Sequence, residues 1–391
     1  MRYRLTLLFS ILTLLYSCSE PDSNNSLPVP QIKAGIAKVS GTLRGAKELS
    51  LAYTNPVTAE ECYLTTVVSE KGSFSFEVPV ECPTIGVISP HSIAVGLIPN
   101  EETIVETQLM NFKTNCSLGL APKDVTNLTN YEMWDKLSHP TPNEGDFYFN
   151  AYTLSHDDFS KMAIEMLEKR IEYVLPVTKL TKTGRDFVAN EIKLHYLKGC
   201  LLDYSEYVSL SYRNSRVKDK PESFTPQEPN KSYYRFLKYF NLNDPQYLYN
   251  SYYWKVLRTI LSIDTLGIPD IKDTPIDEWL GGVKATMADM IGSDTGLFYD
   301  MLTANAYARQ LSMTKPFSEK QKENIGNYFK DEEIGKILLV KNEEIIKQDE
   351  ESRKYFSLNI EEIPLVAKEE LLKTIVSKYK GKVVFVDYWA T

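Results

Sequence analysis

With 391 residues, at ~150 residues per domain, the chain has length for two or three domains. Its 43% apolar, 25% charged and 12% aromatic content excludes disorder throughout, collagen-like repetition and a multi-span membrane protein. A formal charge of −8 argues against nucleic-acid binding through a broad electrostatic surface.

Residues 1–17 stand apart from the fold. Arg2 and Arg4 precede an apolar stretch from Leu5 to Tyr16 and then Ser17-Cys18. A membrane span needs ~20 apolar residues, so this shorter stretch behind a cationic start reads as a secretory signal. Leu15-Tyr16-Ser17-Cys18 resembles the bacterial lipobox, which implies lipidation of Cys18 as the mature N-terminus and partnership with a membrane. Tyr16 departs from that pattern. The alternatives for Cys18 are plain secretion or a buried thiol. Residues 18–34, polar and Pro-rich from Ser19 to Gln31, have the composition of a tether. Glu20 and Asp22 resemble a thin version of the export signal of Bacteroidetes surface lipoproteins. The expected location is the outer membrane, on its periplasmic side or at the surface.

Residues 35–113 read as strands. The runs 38–45, 48–54, 63–80, 85–90 and 92–100 are β-branched and aromatic, broken by Gly, Pro and Asn, the pattern of an antiparallel sandwich or barrel. Glu70-Lys71-Gly72-Ser73 between alternating runs predicts a hairpin. Cys62 and Cys82 are equidistant from Gly72, so a loop of Lys71-Gly72-Ser73 would set them opposite each other. A Cys62–Cys82 disulfide is then possible in an oxidising compartment, against separate buried thiols. This region also resembles the small β-domain at the N-terminus of many Bacteroidetes thioredoxin-like lipoproteins.

From 124 to 350 the period becomes helical, predicting an all-α domain. Phe159, Ala163, Met166, Ile171 and Val174 share one face of a helix at 157–175, and 186–212 is long enough for one continuous helix. Further helices are predicted at 233–241, 245–263, 275–292, 297–312, 318–330 and 331–348, with prolines between several of them. More than half of the chain's 25 tyrosines lie between Tyr148 and Tyr253. Their spacing favours a core of amphipathic aromatics over an exposed platform for a glycan or peptide.

Chemistry-bearing motifs are sparse. Asp294-Thr295-Gly296 is the triplet of aspartic proteases, but those enzymes need two facing copies, and one copy serves as a turn and helix start. His91, His139, His156 and His195 are dispersed, and no Cys/His spacing suits zinc. No metal or other cofactor is expected.

Residues 351–391 change character again. Residues 351–367 read as an extended lead-in, then a short helix with Leu371, Leu372, Ile375 and Tyr379 on one side, then the buried strand "KVVFVDYWAT". "YKGKVVFVDYWAT" resembles the thioredoxin superfamily, most closely the TlpA/ResA-like thiol-disulfide oxidoreductases of Bacteroidetes. In that family the run continues into Trp-Cys-x-x-Cys, whose first thiolate attacks a substrate disulfide. Asp387 matches the family's buried strand Asp, which handles protons beneath the dithiol, and Trp389 its aromatic residue beside the active-site helix. The resemblance implies a multidomain protein. An antiparallel β-domain, a helical domain and an incomplete thioredoxin-like α/β fragment (351–391) would follow one another, cut before the catalytic cysteines and redox-inactive as it stands. In the full-length form the partner would be a protein thiol or disulfide substrate. The competing reading is a non-enzymatic surface lipoprotein that captures a glycan or peptide with its Tyr-rich helices.

Overall fold

The computed structural model describes residues 27–108, 111–115, 142–177, 180–215, 217, 223–355, 364 and 366–383. Contacts divide them into two compact units, one up to Ile345 and one from Ile346.

Eight strands open the first unit: β1 (Gly35–Thr42), β2 (Glu48–Asn55), β3 (Glu60–Val67), β4 (Ser73–Val80), β5 (Thr84–Ser89), β6 (Ile93–Leu97), β7 (Glu102–Gln108) and β8 (Asn111–Asn115). They form two open four-stranded sheets, in the orders β4-β1-β7-β8 and β3-β2-β5-β6. Alternation decides which side chains face inward: on β4, Phe74, Phe76, Val78 and Val80 are buried while the residues between them are exposed. These meet Ala37 and Val39 of β1, Leu49 and Leu51 of β2, and Val95 and Leu97 of β6 in one core between the sheets. The expected sandwich is therefore present, and it is not closed into a barrel. It is not wholly antiparallel: β1 and β7 run parallel, with Val39 opposite Thr103.

The predicted hairpin at Gly72 is a different structure. β3 pairs with β2, placing Cys62 opposite Tyr53, whereas β4 pairs with β1 in the other sheet. Gly72, at φ 87°, donates its N–H to Ser69 O at 2.8 Å and turns the chain from one sheet to the other. Equal spacing about that glycine thus does not bring Cys62 and Cys82 into register. Both are free thiols, and Cys82 lies in the core of the helices with its Sγ 3.9 Å from Leu248 O.

Helices follow as α1 (Pro142–Asn150), α2 (His156–Val174), α3 (Lys182–Tyr196), α4 (Tyr204–Asn214), α5 (Tyr253–Ser262), α6 (Ile276–Ile291), α7 (Leu297–Leu311), α8 (Glu319–Phe329) and α9 (Glu333–Tyr355). Starts follow local chemistry: Ser155 caps α2 by accepting Asp158 N–H at 3.1 Å, and Ser318 with Gln321 forms a capping box on α8. The single helix predicted over 186–212 is interrupted by a π-helical turn, Leu197–Leu202, in which Asp203 N–H reaches back five residues to Lys198 O. The dense tyrosine run forms tight 3-10 turns at Lys231–Phe240 and Pro245–Tyr249 before α5. Its aromatics are core. Tyr233, Tyr247 and Tyr253 are buried, and each hydroxyl donates to a main-chain carbonyl, of Leu201, Phe240 and Leu242 respectively.

The turn between β2 and β3 stitches the sandwich to the helices. Pro56 O accepts from Asn305 of α7 at 3.1 Å, Ala59 packs on Trp254 and Ala308, and Glu60 pairs with Lys341 of α9 at 2.9 Å. The end of the predicted tether is packed too: Leu27 is buried, and its carbonyl accepts from Gln246 Nε2 at 3.0 Å.

In the second unit α9 continues to Tyr355, so residues 351–355 are helical and not extended, because no Gly or Pro stops the period there. The expected short helix is present as α10 (Lys368–Ser377), with Leu372, Ile375 and Tyr379 substantially exposed. Among the described residues no helix is long and apolar enough to cross a membrane.

Candidate ligand cavity among the helices

A concave, half-open site of about 520 Å³ lies between α1, α2, α3, the π turn and α4. Its polar floor begins with two charges that sequence position keeps 26 residues apart. Arg170 falls on the buried face of α2, where sequence periodicity had placed Ile171. From there its Nη1 donates to Glu144 Oε2 of α1 at 2.7 Å. The side chains are only 7% and 9% exposed, so each charge depends on the other for the solvation it has lost. Tyr196, at the end of α3, donates its hydroxyl to the other carboxylate oxygen of Glu144.

Aromatic rings make the walls. Tyr148 stands edge-on to Tyr207, with centroids 5.7 Å apart at 85°, and Phe149 packs on Tyr148 at 5.5 Å. The π turn contributes Gly199 and Cys200, and α1 contributes Gly145. π turns are rare and are often found at functional sites. A Cβ built on Gly145 or Gly199 would meet no atom within 4 Å, so both glycines border open space.

Electrostatics make the cavity neutral as a whole. Glu144 and Arg170 cancel. His195 is an exposed residue of the lining, and desolvation, reinforced by the Arg170 guanidinium, lowers its imidazole below the usual pKa. Burial pushes the Cys200 thiol well up, against a hydrogen bond with Tyr207, and holds it protonated. Burial also raises Tyr207 strongly.

A second cavity, of about 500 Å³, lies at the stitch between the sandwich and α9. Glu81 is buried there, with Val57 N–H and Thr58 N–H donating to its carboxylate at 2.6 and 3.1 Å. Desolvation outweighs those two hydrogen bonds and raises its pKa from 4.5 to about 7. Burial also pushes the Cys62 thiol up to about 11.

The residues singled out from sequence are scattered through the chain. Cys62 and Cys82 have separate environments, one on β3 and one in the helical core. Cys18, Cys116, His139, Asp387 and Trp389 lie outside the described residues. His156 donates its Nε2–H to Gln227 O, 2.9 Å away, and stands edge-on to Tyr204, while His195 stands edge-on to Tyr252. Among the described residues no three His, Cys, Asp or Glu side chains group as metal ligands. Asp294-Thr295-Gly296 forms a turn into α7, fastened by Asn243, which accepts from Phe298 N–H at 2.9 Å and donates to Thr295 O at 3.1 Å. Sequence reasoning missed the Glu144–Arg170 floor. Its one local signal was a charge at 170 one step from the apolar stripe of α2.

Comparison with family models, with curated proteins and with solved structures gives no match.

Proposed function

We propose that the chain is the recognition part of a lipid-anchored, outer-membrane thiol-disulfide oxidoreductase of the TlpA/ResA-like type, tethered through Cys18. The observation that carries this reading is the run from α10 into "GKVVFVDYWAT", in which Asp387 and Trp389 occupy the positions that support the dithiol in that family. Redox chemistry is assigned to a Trp-Cys-x-x-Cys that residues 1–391 do not contain. Support also comes from the chemistry of the described thiols. A nucleophilic cysteine needs a stabilised thiolate, and burial raises the pKa of Cys62, Cys82 and Cys200 instead. The sandwich and helices then position or recognise the protein substrate.

Residues 18–391 should reduce insulin in the presence of dithiothreitol no faster than the reagent alone; turnover above that background sinks the assignment of roles. Mass mapping of the protein from its native cells tests the family reading. A peptide running from Val383 through Trp389 into Trp-Cys-x-x-Cys supports it, and a native C-terminal peptide closing on Thr391 overturns it.

A second reading, a non-enzymatic lipoprotein that captures a ligand within its helices, is favoured by the cavity over Glu144 and Arg170. Saturable ligand binding that depends on the cavity's lining is its test.

A further inference from the structure

We infer that the cavity over Glu144 and Arg170 binds an uncharged aromatic ring. This rests on the second reading, that the cavity is a binding site, and is independent of the redox one. Its volume of about 520 Å³ falls in the range of small-molecule sites, roughly 300–1,000 Å³.

The choice of ligand class follows from which polar groups are already engaged. Glu144 holds Arg170 and Tyr196. The Tyr148 hydroxyl accepts from Asn214 Nδ2 at 2.6 Å, and Tyr207 is hydrogen-bonded with Cys200. A sugar entering here would give up many hydrogen bonds to water and find the Glu144 carboxylate, the Tyr207 hydroxyl and the Cys200 thiol already engaged. An anion or cation would lose its hydration and meet a floor whose two charges cancel. An aromatic ring loses little on leaving water and gains edge and face contacts with Tyr148, Phe149 and Tyr207. One polar substituent, such as an indole N–H or a phenol O–H, finds the exposed imidazole of His195 in the lining.

The two glycines supply a way to close the site without disturbing the fold. Because a side chain at Gly199 or Gly145 points into open space, Gly199→Phe and Gly145→Leu should fill the cavity with little effect on packing elsewhere. Both replace a helical glycine, which if anything favours the helix.

The experiment is calorimetric titration of residues 18–391 with indole, alongside cyclohexanol, glucose and phenylacetate, and with N-acetyl-tryptophan amide to separate a free aromatic molecule from an aromatic side chain. Indole should bind with a dissociation constant of about 1 mM or tighter. Cyclohexanol, glucose and phenylacetate should each bind at least tenfold more weakly. Gly199→Phe and Gly145→Leu should each weaken indole at least tenfold, with unchanged far-UV circular dichroism and thermal midpoints. The capped tryptophan binding as well as indole assigns the site to a peptide side chain, and its failure assigns it to a free molecule; either outcome keeps the inference. Cyclohexanol, glucose or phenylacetate binding better than indole, and lost in Gly199→Phe, overturns the ligand class while leaving the cavity a binding site. Indole binding unchanged in two folded glycine variants overturns the location. No binding by any probe overturns both the inference and the reading of the cavity as a site.

Discussion

The sandwich and the helical region solve the problem of burial in opposite ways. Between the sheets the core is mainly aliphatic with two Phe rings: Leu49, Leu51, Phe74, Phe76, Val78 and Val95 bury side chains that have no polar atom to satisfy. Among the helices the core is also largely aliphatic but takes in more tyrosines, whose buried hydroxyls need partners. Tyr233, Tyr247 and Tyr253 find theirs on main-chain carbonyls. An aliphatic core fills space by shape alone. Buried tyrosines must also meet hydrogen-bond geometry, and it is in the helical region that a cavity lies over Glu144 and Arg170.

The largest effect should come from breaking the buried pair. Glu144→Leu leaves the Arg170 guanidinium desolvated without its carboxylate, and urea unfolding should show a loss of about 3–5 kcal/mol. Replacing both, Glu144→Leu with Arg170→Met, should restore most of that. If the double variant is as damaged as the single one, the pair is not the source. In the sandwich the corresponding test is Leu51→Ala, which opens a void in a fully buried position and should cost about 3 kcal/mol.

Next in size is the pH response of the stitch. The folded pKa of Glu81, about 7, lies above its ordinary value of 4.5. Between those values the folded protein retains a proton that the unfolded chain has released. Stability should therefore fall as pH rises from about 4.5 to 7, by on the order of 3 kcal/mol, and level off above that. Thermal midpoints across that window should show the slope, and Glu81→Gln should flatten it. A slope unchanged in Glu81→Gln assigns the response to other groups. The smallest effect should be Tyr253→Phe, about 1 kcal/mol, since the ring still fills its place and only the bond to Leu242 O is lost. A cost as large as that of Leu51→Ala would erase the distinction between the two cores.

Much of this architecture was legible in the sequence because it is local. The alternation of "SFSFEVPV" fixes which side of β4 is buried, and the spacing of Phe159, Ala163 and Met166 fixes the inner face of α2. Caps at Ser155 and Ser318 lie within three residues of what they cap. The misreading in the sandwich was one of pairing. Gly72 promised a turn and made one, but nothing near it says whether β4 returns to β3 or crosses to the other sheet. The same ambiguity removed the basis for a Cys62–Cys82 bridge. The continuous helix expected over 186–212 is broken by the π turn Leu197–Leu202, because the periodic signal does not register a single wide turn.

By itself the sequence determined the order of a strand-rich region, a helical region and α10, and the burial of Tyr233, Tyr247 and Tyr253. Tertiary structure alone decided the parallel pairing of β1 with β7, the stitch at Glu81, the union of Glu144 with Arg170 and the open space beside Gly145 and Gly199. The physical reason is that side-chain period reports which face of an element is apolar, a property of a few neighbouring residues. Which other face it meets is settled by packing among residues far apart in the chain, where pairs, cavities and sites arise.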